Sequence, residues 1–146
     1  MTIAEREVCT VMAAVLHAHH TLADLGLLIT VVVTAAVVAA SLLGIEIQML
    51  ALVVAIIVVV LGATERYFAF RIRLDERLFS ALGDGKLTSV ANLDDALLRL
   101  DLIGKDRTER TLDERLKGAA GLCWKHRTLV VIQCMTAIVF VVLQTF

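Results

Sequence analysis

Residues 25–63 form an almost unbroken run of Leu, Ile, Val and Ala in which Glu46 is the one charged side chain. A hydrocarbon core of roughly 30 Å takes about 20 helical residues at about 1.5 Å each, so this run is long enough for two crossings. The break falls near the middle, at Gly44, Ile45, Glu46, Ile47 and Gln48, where a flexible residue and two polar side chains interrupt the apolar pattern. The stretch therefore reads as a tight membrane hairpin.

Apolar residues make up 59% of the 146 and the mean hydropathy is +0.84, against about 45–50% apolar in ordinary soluble chains. There is no proline, which removes the usual kink-former and favours straight helices. The expected fold class is an all-α integral membrane protein. A net charge of −1 says nothing by itself about nucleic acid or acidic partners, and no nucleic-acid partner is expected. Cys9, Cys123 and Cys134 are too few and too scattered for a disulfide framework, and Cys134, inside an apolar run, reads as a small hydrophobe. Glu5, Arg6, Glu7 and Asp24 make an acidic lead-in, unlike the short basic start of a secretory signal. An uncleaved anchor is expected, although Val38-Ala39-Ala40 mimics a cleavage site.

In chain order, residues 1–24 read as an N-terminal amphipathic helix, with Val8, Val11, Met12, Val15, His19 and Leu22 collected on one side by three- and four-residue steps. Residues 25–63 are the two-span hairpin. In its first span Ala36, Ala40 and Gly44 repeat at every fourth position, a stripe that permits close helix approach and marks a self-association interface. Thr30, Thr34 and Ser41 need no partner beyond the preceding helical turn. The second span, 47–63, holds no ionisable group.

Residues 64–127 read as a cytosolic helical segment whose beginning continues the second span. Tyr67, Phe70, Leu74, Leu78 and Leu82 make an apolar stripe, while Glu65, Arg66, Arg73, Glu76 and Arg77 share the opposite, solvated face. Arg71 and Asp75, four apart, are placed to pair. Gly83-Asp84-Gly85-Lys86 is a turn by composition; it is not a phosphate loop, because Ser80 and Leu87 stand where that loop needs glycine and Ser or Thr. A helix is expected from Asn92, with Val90, Leu93, Leu97 and Leu100 as its stripe. Another is expected from about 106–111, with Leu112, Leu116, Ala119 and Cys123 on one side. It leads through an aromatic and basic collar, Trp124-Lys125-His126-Arg127, into a C-terminal transmembrane helix over 128–146.

Arg6 is the one basic residue outside 65–127; the other 13 of the 14 Lys and Arg fall within it. The positive-inside rule places that segment, and with it the N-terminus, in the cytoplasm of a bacterial plasma membrane, and the C-terminus outside.

Histidines and cysteines offer one constellation with chemical content. His17 and His20 stand three apart, as do Cys123 and His126, so each pair shares a helical face at the end of an expected span. Cys with His suits zinc, and paired His suits haem iron; the simpler reading is interfacial packing with no cofactor. No complete catalytic motif is present, and Asp94, Asp95 and Asp101 read as a solvated face. The expected function is that of a structural, accessory or regulatory membrane subunit. It would act through self-association and a cytosolic apolar docking face made by Tyr67, Phe70, Leu74, Leu78, Leu93, Leu97, Leu112 and Leu116. The expected partners are membrane lipids, further copies of the chain and a protein on the cytosolic side. The alternatives are an oligomeric channel or small-solute transporter lined by Thr30, Thr34, Ser41 and Gln133, a metal- or haem-binding protein, and a lipid-active enzyme using the acidic residues near Asp94.

Overall fold

A computed structural model describes residues 1–87, 98 and 111–145. Among these residues regular structure is helical throughout, in α1 (Ile3–Ala18), α2 (His20–Leu42), α3 (Met49–Gly83) and α4 (Leu112–Thr145). Three helical stretches are long and apolar enough to cross a bilayer, so the fold is that of an all-α membrane protein. The helix expected from Asn92, including Leu93 and Leu97, and the acidic residues Asp94, Asp95 and Asp101 lie outside the described residues.

Local sequence sets the helix ends. At α1 the Glu5 amide donates to Thr2 Oγ1 at 3.2 Å while the Thr2 amide donates to Glu5 Oε2 at 2.6 Å. The same reciprocal box opens α4, where the Glu114 amide reaches Thr111 Oγ1 at 3.3 Å and the Thr111 amide reaches Glu114 Oε2 at 3.0 Å. Each satisfies backbone donors that an α-helix leaves orphaned. α2 ends in a Schellman arrangement: the Ile45 amide donates to the Ala40 carbonyl at 2.9 Å and the Gly44 amide to Ser41 at 3.3 Å. Gly44 has φ +67° there, a left-handed conformation that glycine alone adopts without steric cost. The hairpin break thus falls where the polar interruption placed it. Gly85, at φ +72°, closes α3 in the same conformation within the expected turn.

The chain divides into two units. The first comprises Met1–Ala18 and Arg71–Cys123. Its core joins Cys9, Ala13 and Leu16 of α1, Ile72, Phe79 and Leu82 of α3, and Ala119 and Cys123 of α4. This corrects the expected faces. Val8, Val11 and Val15 are exposed, because the smaller set Cys9, Ala13 and Leu16, one position further along the same periodicity, allows the closer packing. On α3 the packed stripe is Ile72, Phe79 and Leu82, with Leu78 half-buried against it; Leu74 is half-buried. Leu112 and Leu116 pack half-buried against the same core.

The second unit comprises His19–Phe70 and Trp124–Phe146. It contains α2, of 23 residues, and about 22 residues each of α3 and α4, lengths of about 33–35 Å that each suffice for a crossing. The expected boundaries at 64 and 128 therefore fall inside continuous helices. α2 begins at His20, ahead of the expected span start at Leu25, with Asp24 exposed on it. Buried positions on α2 (Ala23, Gly26, Val33), on α3 (Ala51, Ala55, Val58, Gly62, Glu65, Ala69) and on α4 (His126, Val130, Gln133, Phe140) recur at three- and four-residue steps or their multiples. They face a common interior. α2 and α3 run antiparallel about Gly44, since Gly26 meets Glu65 and Thr30 meets Gly62.

Candidate functional site

Among the described residues, the fully packed side chains that carry polar atoms are Glu65, His126 and Gln133, each 0% exposed, and all three belong to the membrane-length unit. Glu65 Oε1 and His126 Nε2 approach to 3.5 Å, a separation too long for a well-formed N–H···O bond. Neither carboxylate oxygen of Glu65, and neither ring nitrogen of His126, has a hydrogen-bond partner among the described residues. The carboxylate fits because α2 presents a glycine: a Cβ on Gly26 would collide with it.

Two neighbours complete the electrostatic setting. Arg66 reaches across to donate to the Ala23 carbonyl of α2, and its positive charge acts on both Glu65 and His126. The His19 ring lies with its centroid 6.2 Å from that of His126, tilted by 48°. Two turns further along α4, Gln133 Nε2 donates to Thr30 Oγ1 at 2.7 Å and to the Gly26 carbonyl at 3.2 Å. Thr30 Oγ1 in turn donates to the Gly26 carbonyl at 2.9 Å. A Cβ on Gly62 would strike the Thr30 hydroxyl, so glycines on both α2 and α3 make room for one connected polar column.

The column stops there. Beyond Thr30 and Gln133 the interior is a packed cluster of Val33, Ala51, Val54, Ala55, Val58 and Phe140. Thr34 and Ser41 are exposed and bond back to the carbonyls of Thr30 and Val37 at 2.7 and 2.9 Å, as expected for hydroxyls in a helix. Of the suggested channel lining, Thr30 and Gln133 face inward while Thr34 and Ser41 do not.

The sequence-derived candidates are distributed as follows. His17 and Cys123 lie in the first unit, where His17 Nδ1 stands 2.9 Å from Glu76 Oε1 and Cys123 belongs to the same apolar core as Cys9. His20 and His126 lie in the second. Glu65, expected on the solvated face with Arg66, Arg73, Glu76 and Arg77, is instead buried, because the inward register of α3 runs Val58, Gly62, Glu65, Ala69. Tyr67 and Phe70 are 59% and 66% exposed, and their rings do not enter the packed stripe. Ala36 and Gly44 are exposed and Ala40 half-exposed. Cys134 lines an apolar groove of about 480 Å³ with Leu28, Val32, Ile138 and Val141, a hydrophobe's surroundings.

No family model, curated protein or solved structure matches the chain.

Proposed function

We propose that this chain is a structural, accessory or regulatory membrane subunit that acts by association, with further copies of itself and with a protein docking on an apolar face of its cytosolic helical segment, and not as a conduit. The observation that carries this reading is the closure of the polar column by the Val33, Val58 and Phe140 cluster. A conducting path through the interior of one copy would have to pass this packed apolar cluster, and the interior polar groups among the described residues of the second unit stop at Thr30 and Gln133. Ala36, exposed on α2, with Ala40 half-exposed on it and Gly44 exposed just past its end, supports a second copy packing there, because small residues let dispersion accumulate between helices in lipid. Tyr67, Phe70 and Trp124, all exposed, support an interfacial belt or a docking face at the same level.

The charge asymmetry supports a bacterial plasma-membrane location with the N-terminus and the helical segment 64–127 in the cytoplasm and the C-terminus outside. Single cysteines at positions 2, 84 and 145, in a background without the native three, report this orientation through labelling from outside the cell. Reaction at position 84 overturns it.

Native mass spectrometry of the chain released from the membrane in mild detergent tests the function directly. The subunit reading expects a homo-oligomer or a complex with a second protein, reduced in order by Ala40→Leu. A stable monomer with no companion contradicts it.

A further inference from the structure

The apolar groove between α2 and α4 in the membrane unit has a volume of about 480 Å³, within the range of about 300–1,000 Å³ found for ligand pockets. An apolar hollow does not hold water, and inside a bilayer the molecules at hand are acyl chains and other helices. The walls distinguish the two. Leu28, Val32, Ile138 and Val141 are large or β-branched, whereas helices in lipid approach closely along small residues, and Ala36 and Ala40 of α2 lie outside the groove. The walls suit a flexible chain.

Charge places the other end of that chain. Along α4 the groove residues Cys134, Ile138 and Val141 follow Arg127 by about two, three and four turns, on one stripe with it. Arg127 is exposed, and its side chain makes no ion pair among the described residues. Asp24 does not neutralise it. Gly26, whose carbonyl accepts from Gln133, marks the α4 side of α2, and Asp24, two positions earlier, points to the opposite side. Trp124, 64% exposed one turn before Arg127, suits the headgroup level. At about 1.5 Å per residue Cys134 lies about 10 Å and Ile138 about 16 Å deeper than Arg127, and the acyl chains of one leaflet fill about half of a roughly 30 Å core.

We propose that the groove binds one acyl chain of an anionic glycerophospholipid whose phosphate pairs with the Arg127 guanidinium. The guanidinium presents a planar fork of donors that matches phosphate oxygens. A zwitterionic headgroup carries a cation that opposes the guanidinium, so a headgroup of net negative charge is preferred. This inference needs only the membrane fold and stands apart from the subunit reading.

Native mass spectrometry of the full-length chain, in micelles doped with equal phosphatidylglycerol and phosphatidylcholine of the same acyl chains, tests it. One phospholipid is expected per chain, with phosphatidylglycerol favoured about fivefold, the factor that one basic side chain contributes near an anionic surface. Arg127→Gln keeps a bound phospholipid and loses the preference, while Lys125→Gln, on the opposite side of α4, keeps both. Val32→Phe combined with Ile138→Phe fills the groove and lowers retention of either lipid at least tenfold. Where that double variant fails to fold, the Arg127→Gln comparison decides. Equal retention of the two lipids by the wild type, a preference that survives Arg127→Gln, or lipid retained by a helical groove-filled variant overturns the proposal. A groove-filled variant that loses oligomer order instead of lipid assigns the groove to a second copy and overturns it as well.

Discussion

The carboxylate of Glu65 occupies the space beside the Gly26 backbone that a Cβ would fill. This contact fixes the depth at which α3 meets α2, and the Thr30–Gly62 contact one helical turn away repeats it. Both pair a glycine with a polar side chain. Backbone and polar group can then approach closely in an interior where the alternative is an unsatisfied polar atom in apolar surroundings.

Gly26→Ala is therefore expected to destabilise the membrane unit by about 1–3 kcal/mol, the usual range for overpacking a tight contact. Equilibrium unfolding in mixed micelles measures it. A midpoint equal to that of the wild type contradicts the contact.

Gly118 and Gly121 of α4 give the opposite sign. Nothing lies within 4 Å of a Cβ built on either, and neither has positive φ, so alanine there gains helix propensity without a clash. Each substitution is expected to be neutral or to stabilise by up to about 1 kcal/mol. The same unfolding measurement reads it, and destabilisation by either change would show that these faces are packed.

Thr30 and Gln133 are joined by a 2.7 Å bond across α2 and α4, while Thr34 bonds within its own helix. A double-mutant cycle with Thr30→Val and Gln133→Leu is expected to give a coupling of about 0.6 kcal/mol, and at most about 1.7, as for other interhelical hydrogen bonds in membranes. The cycle of Thr34→Val with Gln133→Leu is expected to give none. Equal couplings in the two cycles contradict the assignment of Gln133 to Thr30.

Much of the architecture is legible in the residues. The apolar length of 25–63 implies two crossings, Gly44 and Glu46 locate the break, and the helix start expected at about 106–111 lies close to Leu112, where α4 begins. The faces are less legible. Large apolar residues here point outward as readily as inward, so Val8, Val11, Val15, Tyr67 and Phe70, all exposed, drew the expected stripes away from the packed side. Packing in this chain follows small residues, and the column Ala51, Ala55, Gly62, Ala69 reaches Glu65 at its own three- and four-residue steps. That column was the available signal for Glu65. His126 was legible as a residue of interest through its spacing from Cys123. Its partner was not, because Glu65 lies 61 positions away on another helix and only the fold brings the two together. Gln133 reads as polar lining, but whether the column continues past it depends on Val33, Val58 and Phe140 meeting.

Closure of that column is the central claim, and flux through the purified chain tests it most directly. In liposomes containing this protein alone, proton and potassium flux are expected to match those of empty liposomes at every protein-to-lipid ratio, and Phe140→Ala, which thins the apolar cluster, is the variant in which a leak should first appear. Flux in the wild type that rises with protein content and is abolished by Gln133→Leu contradicts the account and establishes a conducting path through the polar column.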